Sequence, residues 1–323
     1  MAEEHATARI AKLHRLDSLR PSTTSRVSLR QRKQAVAGPQ LDYSLSESPK
    51  PWVVVVCGLN GIRKTTSIYQ PWFQDLLRNA LSSQYCGEVE DLPTGKNSFF
   101  RQLDFMIATV ACEDFRELYA KVGLIDVAEY SKIIDAIFAR YRTLAEMVGI
   151  MLVKEARLKG MNIMIETSGK DVASFRYVDH LFPDSAEGST PHRAYNKLMV
   201  HFTIDDIKYA EKSVDRRMKE EMSNGVTALA SCTGPLNEEV MKRVIAVNAG
   251  GPYGSNVLRQ VQQDSDAVMH NIFEKEGYDE VEDEFSSWFK ARICIHASDS
   301  VWSASAYTSS NVAQERFKFE NKM

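Results

Sequence analysis

The sequence predicts an α/β fold of three layers, with a mostly parallel central sheet, helices on both of its faces and further helices added to that frame. Three observations carry this expectation. Short apolar runs at 53–56, 161–165, 197–204 and 291–297 alternate with longer stretches of helical spacing, the pattern of strand-helix-strand units joined by right-handed crossovers. The first run leads directly into a glycine-containing turn and Lys64-Thr65-Thr66. The second delivers Glu166-Thr167-Ser168 at its carboxyl end, the end at which open α/β sheets seat their ligands.

Composition bounds the answer further. At 323 residues and 44% hydrophobic content the chain is long enough for one large domain or two small ones. A net charge of -3, from 40 basic and 43 acidic side chains, gives no global field that favours nucleic acid or a membrane surface. The five cysteines form no Cys-x-x-Cys pair, which argues against a zinc or disulfide framework and for a reducing compartment. No stretch approaches the roughly 20 apolar residues of a membrane-spanning helix. The expected location is the cytoplasm. Residues 1–48 are rich in Arg, Ser and Thr and nearly free of aromatics, which predicts a disordered basic tail with an organelle transit peptide as the alternative.

Taken in order, residues 49–300 carry the folded domain. The β-branched run Val53, Val54, Val55 and Val56 suits a central strand covered on both faces. In the turn that follows, Gly58 and Gly61 let backbone N–H groups converge on an anion, and the next helix adds the positive end of its dipole. The residues Gly58, Leu59, Asn60, Gly61, Ile62, Arg63, Lys64, Thr65 and Thr66 therefore form an expected nucleotide-binding loop, with Lys64 on the outer phosphates and the Thr65 hydroxyl on Mg²⁺. The usual pattern has glycine before the lysine. Here Arg63 stands there, either crowding the phosphate or adding a second cation. The helix of 66–81 is expected to kink or restart at Pro71, and 85–96 reads as a loop.

Asn97 has the chemistry of an N-cap, and 98–122 shows helical spacing through Phe99, Leu103, Ile107 and Val110. A second, longer helix is predicted over 126–159, with Ile133, Ile134, Ile137, Phe138, Leu144 and Val148 on its apolar face and Gly160 as its stop. Residues 172–182, 207–222, 237–247 and 257–273 also read as helices. Glu166, after the strand 161–165, is placed to hold Mg²⁺ through water or to hydrogen-bond a substrate hydroxyl. Arg216 and Arg217 sit on the charged helix 207–222 as candidate lid cations. The acidic patch 280–284 and the glycine-rich turn 250–254 carry no chemistry of their own. Residues 301–323 lack periodicity and read as a second tail.

The loop 53–66, the segment Asn97-Ser98-Phe99-Phe100-Arg101-Gln102 and above all Asn162-Ile163-Met164-Ile165-Glu166-Thr167-Ser168 resemble the zeta-toxin-like P-loop kinases. The resemblance spans residues 50–220. It implies the P-loop NTPase/kinase fold and ATP-driven phosphorylation of a small molecule, in that family UDP-N-acetylglucosamine. It further implies that Lys64 binds phosphate, that Glu166 with Thr167 or Ser168 contacts the substrate, and that Arg216 or Arg217 clamps the triphosphate. The family's catalytic base is an aspartate whose place falls on Asn97, here a substrate contact at most, because an amide accepts no proton at neutral pH. Either Asp104, Glu90 or Asp91 replaces it, or turnover is weak. The expected catalytic set is accordingly Lys64, Glu166, Arg217 and Asp104, with ATP and Mg²⁺ as cofactors. The alternative is a catalytically weak or inactive nucleotide-binding module that serves a protein partner through its tails. A GTPase is disfavoured by the lack of a Thr-Lys-x-Asp guanine signature.

Overall fold

The computed structural model describes residues 50–81, 84–184, 194–230, 238–248, 251, 254–274, 284–297, 301–307 and 313–320. The expected tail 1–48 and most of the acidic patch and glycine-rich turn lie outside these residues. Among the described residues seven strands form one sheet, in the order β2-β3-β1-β4-β5-β6-β7. They are β1 (Trp52–Gly58), β2 (Ser98–Arg101), β3 (Asn162–Thr167), β4 (Asn196–Ile204), β5 (Phe289–Ala297), β6 (Val301–Tyr307) and β7 (Ala313–Glu320). The first five in chain order run parallel, and β6 and β7 add antiparallel at the β5 edge.

The period of two along β1 explains why helices cover both faces. Val54 and Val56 join one core with Met164, Val200 and Ile293, while Val53, Val55 and Cys57 join the opposite core with Ile163, Ile165 and Met199. All four valines are essentially fully buried, each contributing about 1.5–3 kcal/mol of apolar burial. On the first face pack α2 (Pro71–Leu81), α3 (Leu103–Val110), α4 (Cys112–Lys121), α7 (Ile207–Ala230) and α8 (Glu238–Val247). The second face is covered by α6 (Ala173–Leu181) and by α9 (Ser255–Glu274), whose Met269, Ile272 and Phe273 join this core while Leu258 and Val261 reach the first. The long α5 (Val127–Leu158) serves both, with Tyr130, Ile134, Ile137 and Phe138 in the first core and Val153 and Ala156 in the second.

Several expectations are corrected here. Residues 98–101 open the predicted helix 98–122 in sequence, but they form the edge strand β2, paired with β3. Phe99 packs towards the second core and Phe100 towards the first, so the two adjacent aromatics alternate across the sheet. The loop is followed by a single turn, α1 (Lys64–Ser67), and the chain restarts as α2 at Pro71. So short a helix supplies little of the dipole expected there. On α5, Leu144 and Val148 face outward at 49% and 36% exposure. The buried face of that half runs instead through Ala145, Gly149, Val153 and Ala156, small side chains that let the helix approach closely. Finally, the stretch read as a C-terminal tail contributes β6 and β7. No helix among the described residues is long and apolar enough to cross a membrane.

The chain leaves β1 towards β2 on one side and leaves β3 towards β4 on the other, passing over β1. These two connections run over opposite faces of the sheet, through α2 on the first and α6 on the second, and neighbouring strands connected in that way open a crevice at their carboxyl ends. Here that crevice lies between β1 and β3, whose register pairs Val56 with Glu166 and Cys57 with Thr167.

Candidate functional site

Two cavities meet in that crevice. The smaller, of about 480 Å³, is walled by the 59–66 turn together with Gln102, Asp104, Phe105, Arg217, Asn248 and Gly251. The larger, of about 800 Å³, runs from β3 to α5 and α6. Asn60, Lys64, Asp104 and Glu166 line both and form their common wall.

The turn owes its path to two glycines. At Gly58, with φ of 133°, a Cβ would lie 2.2 Å from the Phe202 carbonyl oxygen of β4, and at Gly61, with φ of 85°, it would lie 2.8 Å from that of Ala210. No other residue fits either place. Ile62 is fully buried and anchors the turn in the core; neither it nor Gly58 reaches the smaller cavity. Arg63 is the only non-glycine residue with positive φ among those described, at φ 62° and ψ 29°. Arg63 borders the smaller cavity, and burial followed by the nearby Arg216 charge lowers its pKa. Lys64 is buried. Its Nζ donates to the carbonyls of Gly58 at 2.8 Å and Leu59 at 2.7 Å and lies 3.5 Å from Glu166 Oε1.

Asp104 stands in the first turn of α3, three residues past the end of β2. Burial in the crevice, reinforced by the Glu166 charge and opposed by Lys64 and Arg217, raises its carboxyl to about 6. That value keeps it largely ionised at neutral pH yet basic enough to take a proton, the compromise that acid-base chemistry requires. On α7, Arg217 Nη2 donates to the Gly251 carbonyl at 3.2 Å and its Nε lies 3.6 Å from Glu221 Oε1. Gly251 itself presses against Asn60 and Asp104, since a Cβ there would lie 2.4 Å and 2.5 Å from them. Gly251 thereby packs directly on the wall that the two cavities share. Arg216 pairs with Glu220 and borders neither cavity.

No protein-family model matches the chain, and no curated protein matches it either. The site is therefore read from its own geometry. Of the residues singled out by sequence, Leu59, Asn60, Gly61, Arg63, Lys64, Thr65 and Thr66 line the smaller cavity with Asp104, Glu166 and Arg217. Thr167 and Ser168 line the larger one. Asn97 is not brought to the site. It ends a 3-10 turn at the amino end of β2, opposite the crevice, where its side chain bonds the backbone of Thr94 and Leu92. Glu90 and Asp91 lie in another such turn and border neither cavity.

Sequence reasoning missed the far wall of the larger cavity. Arg101, at the carboxyl end of β2, is ion-paired with Glu146, and both border the cavity with Tyr177, Asp135 and Arg142. Asp135, Phe138, Arg142, Glu146 and Ile150 recur at helical spacing along α5, a mixed polar and apolar stripe that was the available signal. Arg101 was hidden because its strand read as helix.

The donor set suits Mg²⁺. Thr65 and Glu166 both line the smaller cavity and offer oxygen ligands, and Mg²⁺ uses one or two protein carboxylates while keeping its other positions for water and substrate phosphates.

Proposed function

We propose that the chain is an ATP- and Mg²⁺-dependent phosphotransferase of the zeta-toxin-like P-loop type, which passes the γ-phosphate to a hydroxyl of a small molecule such as a nucleotide-sugar. The observation that carries this reading is the common wall: a buried lysine, a carboxyl raised to about 6 and a second carboxylate stand between a loop-lined cavity and a larger one. Two substrates that must meet in line require two pockets with the reacting groups at their junction.

The roles follow from position. The backbone of the 58–64 turn and Lys64 receive the phosphates, with Arg63 and Arg217 adding charge on the same cavity. Thr65 and Glu166 would hold Mg²⁺, which when bound would neutralise charge that develops on the transferred group. Asp104 accepts the acceptor hydroxyl's proton as the new O–P bond forms and the bond to ADP breaks. Thr167 and Ser168 orient the acceptor in the larger cavity. Arg63 in a left-handed conformation, where the loop pattern has glycine, favours a second reading: a nucleotide-binding module with little turnover.

Lys64→Ala separates the reading from its failure. Nucleotide binding or ATP hydrolysis should fall by at least a hundredfold, and wild-type ATPase activity that survives the substitution sinks the proposal. Asp104→Asn should keep ATP binding and lose transfer by a factor of about 10²–10⁴, the usual contribution of a general base. If wild type binds ATP but transfers phosphate to no metabolite tested, the module is the correct reading.

A further inference from the structure

The second half of α5 turns small residues inward and large ones outward. Ala145, Gly149 and Val153 are buried, while Leu144, Met147, Val148, Met151, Leu152 and Leu158 are exposed, Met147, Met151 and Leu158 at 60%, 70% and 64%. Steps of three and four residues gather these six on one face of the helix, a stripe about four turns long. The other exposed large apolar side chains, such as Phe105, Leu124 and Val226, stand singly on separate elements, which is ordinary for a protein surface. A contiguous apolar stripe framed by charge is instead the mark of an interface with another protein.

The charges in line with the stripe indicate what covers it. Arg140 stands one helical turn before Leu144 and Glu155 one turn after Met151, both on the face of the stripe, with side chains 67% and 59% exposed. Two such stripes laid side by side in the same direction would oppose arginine to arginine and glutamate to glutamate. Reversed about a two-fold axis, they oppose unlike charges at both ends. We propose that the stripe is the interface of a symmetric homodimer, in which α5 packs antiparallel against α5 of a second copy with Met147 and Val148 at the axis. That register sets Leu144 against Met151 of the second copy and Arg140 against its Glu155, each contact occurring twice by symmetry. Arg140 Nη1 already meets Asp114 at 2.7 Å, but a guanidinium has further N–H donors, and the exposed pair of Glu155 with Lys159 is worth little. Methionine, flexible and unbranched, packs readily against its own image. From Arg140 to Leu158 the seam is about 28 Å long, at the small end of stable interfaces, so association in the micromolar range is expected. Asp135, Phe138, Arg142, Glu146 and Ile150 line the larger cavity from another side of the helix, and the pairing does not depend on the chemistry proposed for that site.

The test is sedimentation velocity of the full chain as a function of concentration. Wild type should pass from monomer to dimer between about 1 and 100 μM. Met151→Glu should stay monomeric over that range and melt as wild type does, because the side chain it replaces is exposed in the single chain. Leu124→Glu, at an exposed leucine away from the stripe, should dimerise like wild type. Arg140→Glu and Glu155→Arg should each dimerise about tenfold more weakly. Mixed in equal amounts, these two should associate as tightly as wild type, because only unlike chains then set opposite charges together at both ends of the seam. Should a charge variant not fold, Met151→Glu against Leu124→Glu still decides the matter. A wild type that remains monomeric at about 100 μM overturns the inference and leaves the stripe to a different protein. So does a Met151→Glu variant that dimerises like wild type, or a mixture of folded charge variants that associates no better than its components.

Discussion

Arg63 concentrates the strain of the site in one residue. A side chain in the left-handed region costs roughly 1–2 kcal/mol for an L-residue, and Arg63 bears this at φ 62° with its guanidinium beside that of Arg216. Glycine at this position would relieve the strain but lose more chain entropy on folding, roughly 0.5–1 kcal/mol. Arg63→Gly should therefore stabilise the apoprotein by about 0.5 kcal/mol, a rise in melting temperature of about 1–2 °C, while weakening tripolyphosphate binding severalfold through the lost cation. A melting temperature that falls instead would show that the contacts of the arginine outweigh its backbone cost. At this scale the sequence was informative where spacing follows from chemistry: Lys64 after two glycines and Glu166 after an apolar run both reach the crevice. It misled at Asn97, whose place was taken from resemblance.

Among the elements, α7 does more than carry a cation. It buries Glu221 at 5% exposure beside Arg217. Burial raises this carboxyl from 4.5 to about 7, with Arg217 opposing the rise and Asp104 and Glu220 adding to it. The folded chain thus holds the Glu221 proton more tightly than the unfolded chain. Its contribution to stability is fullest below about pH 4.5, declines as the pH rises towards about 7, and is constant beyond. Asp104, raised from 3.8 to about 6, acts in the same direction over a lower range. Glu221→Gln should leave stability at pH 4 nearly unchanged and raise it at pH 8 by about 1–3 kcal/mol, flattening the profile between. Denaturant unfolding as a function of pH measures this, and a variant whose profile merely runs parallel to wild type excludes Glu221 as the source. Elements such as α7 and α5 were legible because their apolar period is long. β2 was not: four residues give no period, and Phe99 falls in step with Leu103, Ile107 and Val110 as if on one helix, whereas in the sheet Phe99 and Phe100 face opposite cores.

For the whole molecule, the sheet is asymmetric in how it ends. On one side β2 is short. On the other, β5 is covered by the β6–β7 pair, with Arg292 to Ala297 matched against Tyr307 to Trp302. His296 Nε2 lies 2.9 Å from Ser305 Oγ and its Nδ1 3.3 Å from Asp205, which ties the added pair to the end of β4. Alanine and serine hid this in the sequence. Ala304, Ser305 and Ala306 are all buried, but such small residues carry almost no hydrophobic signal, and only their position against β5 reveals their role. Removing residues 299–323 would leave β5 as an edge whose Ala291, Ile293 and Ile295 belong to the first core, and would strip α2 of its contacts with β6 and β7. An exposed, mostly apolar edge pairs with other chains. The truncated chain should melt at least several degrees lower and associate further than the full chain with rising concentration, as followed by thermal unfolding and light scattering. If it associates no further and is equally stable, β6 and β7 are an appendage and the cooperative sheet ends at β5.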